Sequence, residues 1–259
     1  MKLFYELFFL GTSAFAGIAI DMDATGMQKA KIENRIKYYL DGPNLRIDVT
    51  KGGALVPLVI WRGGEKRIWI IDEANKKYVE MTEAQLKQFT ASAQRMFQLS
   101  SPLMAQLPPA ARRQLEAMVK PPVPKAPTRF KAAGSKQVKH WKCNRFVASN
   151  SANAQTEICT VPLAELGLKK SDLQAFDSLK AFAKDLGPLA TQGTDYSQFG
   201  METTMGFPVE AIHLTGVSGS QKETRINVVK VEKINRGAEY FRAPAGFEKT
   251  SVPTIPSPH

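Results

Sequence analysis

The chain has 259 residues, 43% hydrophobic and 23% charged, enough to bury a core in one large or two small domains, which excludes wholesale disorder. Lys and Arg number 35 against 24 Asp and Glu, a formal charge of +11, and 18 Gly with 16 Pro exclude collagenous, coiled-coil and multi-span membrane classes. Two cysteines and three histidines are too few for a zinc ribbon, a Cys/His cluster or an iron–sulfur site, so no metal and no cofactor is expected.

The first residues place Lys2 ahead of an apolar run from Leu7 to Leu10, with Ala14 and Ala16 before Gly17. This is the pattern of a cleaved secretory signal over residues 1–16, and it predicts a periplasmic or secreted protein cut after Ala16. Glu6 interrupts the apolar run, which leaves an uncleaved amphipathic anchor or a frayed N-terminal strand as the other readings. No later segment has the roughly 18 consecutive apolar residues of a transmembrane helix, so no span is expected in the mature chain.

Residues 27 to 40 alternate, with Ala30, Ile32, Ile36, Tyr38 and Leu40 on one face and Lys29, Lys31, Arg35 and Lys37 on the other. The turn Asp41-Gly42-Pro43 leads to a second alternating strand through Leu45, Ile47 and Val49. In LVPLVIW both parities are apolar, which predicts a strand covered on both faces, with Pro57 at an edge or a bulge. Gly63-Gly64 and Asn75-Lys76 then turn the chain into KRIWIID and KYVEM, completing a five-strand meander over residues 27 to 81.

Three helices are predicted. Thr82 and Gln85 have capping-box spacing before Leu86, Phe89, Ala93, Met96 and Phe97, and Pro108-Pro109 open a second helix through Leu115 and Met118. The proline-rich stretch 120–128 is a linker between two unequal β-rich parts. Beyond it, Ser171 and Gln174 repeat the capping-box spacing ahead of Phe176, Leu179, Phe182 and Leu186, and Gly187-Pro188 stops the third helix. Residues 204–216 and 222–234 read as a hairpin, Ala243 to Gly246 as a turn, and 251–259 as a mobile tail.

HWKCNRFVA and TEICTVPL read as strands about the polar turn SNSANAQ, which sets Cys143 nearly opposite Cys159. An exported chain with two thiols usually pairs them, and the loop length gives such a bond about 3 kcal/mol; two buried reduced thiols are the alternative. Strands, helices and strands again predict an α+β fold with an antiparallel sheet curled around helices.

In chain order, LRIDVTKGG, WIIDEANKKYVEM, PPAARRQLEAMV, KHWKCNRFVASN with EICTVPL, DLQAFDSLKAFAKDLGP, GFPVEAIHL and FRAPAGFEK resemble the DUF4412 family of secreted bacterial proteins, whose function is unassigned. That family is similar in architecture to the periplasmic lipoprotein-carrier fold (LolA and LolB). The resemblance implies a single half-barrel domain over residues 17–250, a curved, unclosed antiparallel barrel with about three helices on its concave side. It also implies a paired Cys143 and Cys159, and supplies no catalytic residues.

No P-loop, HExxH, GxSxG or Rossmann fingerprint is present, which argues against an enzyme. His140, His213 and His259 lack metal-ligand partners at i+2 or i+4, and Asp172, Asp177 and Asp185 are expected at the start or wet face of the third helix. Lys29, Lys31, Arg35 and Lys37 form a basic face that could meet an anionic envelope surface, or be a plain solvated face. Met96, Phe97, Met104, Met118, Phe176, Phe182, Met201 and Met205 are the candidate lining of an apolar pocket, with plain core as the alternative. Together these features predict a non-enzymatic periplasmic carrier-like protein for an apolar or lipidic ligand or lipidated partner. The alternative is a structural or protein-interaction module of the envelope without a pocket. Nucleic acid is not expected as a partner.

Overall fold

Alternating segments hide one face each, and here they do so by pairing into one sheet. The computed structural model describes residues 17–26, 32–88, 91–92, 129–151, 154–185, 205–215 and 222–251. Within them lie β1 (Gly17–Gly26), β2 (Ile32–Asp41), β3 (Asn44–Lys51), β4 (Ala54–Leu55), β5 (Leu58–Arg62), β6 (Arg67–Asp72) and β7 (Lys77–Thr82). The second part contributes β8 (Lys131–Val138), β9 (Trp141–Ser151), β10 (Ala154–Val161), β11 (Phe207–Thr215), β12 (Lys222–Ile234) and β13 (Glu248–Thr250). The order across the sheet is β13-β7-β6-β5-β3-β2-β1-β12-β11-β10-β9-β8, with β4 beside β3. The pairings are antiparallel except for the parallel β13 and β7. Among the described residues β8 and β13 do not pair, so the sheet is unclosed.

Before residue 27 the sequence offers a strand only as the alternative to a leader, and β1 shows that residues 17–26 form one. Ile18, Ile20 and Met22 alternate with Ala19, Asp21 and Asp23, and the strand pairs with β2 on one side and β12 on the other. The segment directly after the predicted leader is therefore the seam that joins the two β-rich parts in one sheet. β8 and β13 were also missed: β8 is polar and mostly exposed at an edge, and β13 has three residues.

Pro57 marks a bulge and not an edge, because the partners on β3 shift by one residue between Thr50↔Leu55 and Ile47↔Val59. β5 lies inside the sheet between β3 and β6, and Pro57 sits in the break between β4 and β5, where its missing N–H costs no ladder bond. The expectation that LVPLVIW is covered on both faces holds: Trp61 joins the larger core, while Leu58 and Ile60 join a second one on the other face.

The only complete α-helix among the described residues is α1 (Gln174–Asp185). A 3-10 turn, Lys170–Leu173, leads into it. The cap differs from the predicted Ser171 and Gln174: the Asp172 carboxylate accepts from the Lys169 amide at 2.8 Å. The first predicted helix begins as expected at 83–88, where the Thr82 amide donates to Gln85 Oε1 at 2.9 Å and the Gln85 amide donates to Thr82 Oγ1 at 3.3 Å. The second predicted helix, the signal 1–16, the linker 120–128 and the tail beyond 251 lie outside the described residues, among which there are one complete helix and one helical start.

Candidate functional site

Cross-strand neighbours share a face, so register sorts the side chains of β1 to β7 into two sets. One face presents Ile20, Tyr38, Leu45, Ile47 and Trp61 to α1. The ring centroids of Trp61 and Phe182 are 4.5 Å apart, Tyr38 meets Phe176 edge-on at 5.6 Å, and Trp61 Nε1 donates to Ser178 Oγ at 3.3 Å. Gly63 permits this seat, because a Cβ there would stand 2.5 Å from both the Pro43 carbonyl and Ser178 Oγ. Burying each phenylalanine in this way contributes about 1.5–3 kcal/mol.

α1 therefore sits over the end where β2 turns into β3 and β5 into β6. Away from that end the same face stays apolar while its cover thins. Ile36 opposes Val49, and Val59, Ile70 and Val79 oppose one another across β5, β6 and β7. Ile36, Val49, Val59 and Val79 are half-buried and Ile70 is 37% exposed, against 1% for Trp61. Leu86 of the helical start also packs on this core.

Phe176 and Phe182, named as pocket lining, are 8% and 4% exposed in the packed end of that core. Met205 is half-buried, and its carbonyl accepts from Thr160 Oγ1. Met96, Phe97, Met104, Met118 and Met201 lie outside the described residues.

The opposite face alternates charge. Arg35 and Lys37 of the predicted basic face oppose Asp23 and Asp21 of β1, at 3.6 and 3.3 Å. Lys29 and Lys31 are outside the described residues. Further along the sheet Glu210, 5% exposed, takes ion pairs from Lys136 and from Arg225 (3.0 Å), while Glu157 takes Lys136 at 2.7 Å and Arg145 at 2.9 Å. Burial opposes the charge on Glu157, yet the hydrogen bonds from Lys136 and Arg145 prevail and hold its carboxyl below the usual glutamate range. Missing the acidic strand β1 is what made the lysines and arginines of β2 look unbalanced.

Cys143 and Cys159 form a disulfide between β9 and β10, with Cα atoms 5.4 Å apart and both residues buried. Arg145 opposes Cys159, so the bond crosses diagonally, two residues from direct opposition. His140 stacks on Trp141 at 4.0 Å, His213 Nδ1 lies 3.0 Å from Thr156 Oγ1, and His259 is outside the described residues. Among the described residues no group of three His, Cys, Asp or Glu is arranged to hold a metal, and no helix is long and apolar enough to cross a membrane.

One feature went unread in the sequence. After β12 the chain crosses the opposite face to reach β7, burying Phe241 against Leu58, Ile60, Trp69 and Ile71. Beside this strap lies a depression of about 400 Å³, lined among others by Arg46, Arg236, Gly237, Glu239, Tyr240 and Arg242. Burial and a hydrogen bond with Tyr39 push the Tyr240 phenol above its ordinary value. The legible signal was Arg236 and Arg242 flanking Tyr240-Phe241; that Arg46 of β3 joins them was not legible.

No protein-family model matches the chain, so the DUF4412 label has no support there, and no curated protein sequence matches it. Solved structures do. An uncharacterised conserved protein from Thermus thermophilus is 8% identical with a TM-score of 0.44, covering 92% of each chain. The Pseudomonas aeruginosa MucA/MucB complex is 9% identical with a TM-score of 0.37, over 91% of this chain and 58% of that one. A LolA superfamily protein from Nitrosomonas europaea is 6% identical with a TM-score of 0.32, over 87% and 89%.

Proposed function

We propose that this is a non-enzymatic, DUF4412-type binding protein of the bacterial cell envelope, whose helix-bearing sheet face takes an apolar or lipidic ligand or a lipidated partner. The observation that carries this reading is the uneven cover of that face: the apolar strip through Ile36, Val49, Val59, Ile70 and Val79 continues the core beyond α1. Continuous apolar surface left half-covered is where apolar ligands gain burial. The buried disulfide fits an oxidising compartment such as the periplasm. The test is organic-solvent extraction of the native protein from an envelope fraction, followed by binding of a hydrophobic dye. We expect a stoichiometric apolar ligand, and dye binding that falls at least fivefold in Ile70→Asp; neither ligand nor dye binding overturns the reading.

A second reading, an envelope interaction module with a dry core, is favoured by the close packing of Phe176 and Phe182 on Tyr38 and Trp61. Absence of any extractable ligand and of dye binding, in a protein that melts cooperatively, supports it.

A further inference from the structure

We propose that the depression beside the C-terminal strap is a site for a phosphate group, carried on a soluble ester or on a lipid headgroup. The site is on the sheet face away from α1 and stands independently of the apolar-ligand reading. Arg46 is fixed in its wall: Nε meets Asp48 Oδ1 at 2.8 Å, Nη2 lies 3.7 Å from Glu73 Oε1, and its side chain is 13% exposed. Its guanidinium carbon stands 4.4 Å from the centre of the Tyr240 ring, and that of Arg236 stands 5.1 Å from the same ring. Tyr240 in turn packs edge-on against Tyr39 at 5.0 Å, so the aromatic wall is braced by the sheet.

Arg236 and Arg242 are exposed, and among the described residues neither has a carboxylate within 4 Å. Of the nearby acids, Asp48 and Glu73 serve Arg46, and Glu232 holds Lys230 at 2.5 Å while also lying in the field of Arg236. Glu239 is the single acid of the lining, set against the guanidinium groups of Arg236 and Arg242, with the charge of Arg46 already met by Asp48 and Glu73. Convergent cations around a concavity repel one another, and a multiply charged anion relieves that repulsion. Guanidinium forks match phosphate oxygens two at a time, and the two forks of Arg236 and Arg242, beside an Arg46 already held by Asp48, Glu73 and the Tyr240 carbonyl, suit the three outer oxygens of a phosphomonoester better than the two of a carboxylate. A volume of about 400 Å³ leaves room for a small group attached to the phosphate.

The test titrates the full chain with inorganic phosphate and glycerol 3-phosphate, and with vesicles containing phosphatidic acid, whose headgroup is a phosphomonoester, against phosphatidylcholine vesicles. We expect saturable, salt-sensitive binding that drops at least tenfold in Arg236→Ala/Arg242→Ala. The charge-retaining Arg236→Lys/Arg242→Lys should lose affinity to an intermediate degree, and Lys142→Ala, exposed on β9, should bind as wild type. Binding of the soluble phosphates without vesicles identifies a soluble ester, and binding of phosphatidic acid vesicles alone identifies a headgroup; either supports the site. No saturable binding to any probe overturns it, as does unchanged affinity in both double variants. Apolar ligand extraction reads the other face, so its failure and this one are separable.

Discussion

The two faces of this sheet are built from the same strands yet behave differently. On one, α1 presses Phe176 and Phe182 into Tyr38 and Trp61, then leaves a half-covered apolar strip. On the other, a strap whose helical structure is a single 3-10 turn, Ala238–Phe241, buries Phe241 fully, and charged residues pair in cross-strand steps beyond it. Burial depends on what lies over a strand and is indifferent to whether the cover is a helix, so Leu58, Ile60 and Trp69 are as buried as the residues beneath α1.

If the two cores are equivalent in energy, Phe182→Ala and Phe241→Ala should each cost about 3–5 kcal/mol in denaturant unfolding. A loss below about 1 kcal/mol for Phe241→Ala would break the comparison and make the strap peripheral. Replacing both cysteines with serine should cost about 3 kcal/mol, the scale for a closed loop of this length, read as a lower denaturant midpoint.

A smaller effect distinguishes the charged face by pH. The Glu157 carboxyl is held below its ordinary value in the folded chain, so its pairing stabilises above the unfolded value of about 4.3 and is lost as pH falls through the lower folded value. Thermal midpoints should therefore drop below about pH 4, and Glu157→Gln should flatten that drop; an unchanged acid slope contradicts it. The smallest effect is expected at Arg35, whose side chain is 72% exposed beside Asp23: Arg35→Ala should change stability by less than about 0.5 kcal/mol.

Much of the fold was legible locally. The hairpins of β2 with β3, β9 with β10 and β11 with β12, the cap at Thr82 and Gln85, and the Cys143–Cys159 pairing all arise from residues close in sequence, where alternation and turn chemistry speak directly. β1 was obscured because Ile18 and Ile20 continue the apolar leader pattern, and β13 because three residues carry no period. The candidate sites were less legible still: Phe176 and Phe182 show the same helical stripe whether they line a pocket or fill a core, and only their contacts with Tyr38 and Trp61 place them in the packed end.

The sequence by itself determined the strands β2 to β7 and β9 to β12, where they turn and which thiols can meet, because those depend on spacings of a few residues. Only the tertiary structure decided that β1 joins the two parts, that Asp21 and Asp23 neutralise Lys37 and Arg35, and that Arg46 stands with Arg236 and Arg242 around Tyr240. Those contacts join residues far apart along the chain, and no local pattern encodes which distant strand a given edge will accept.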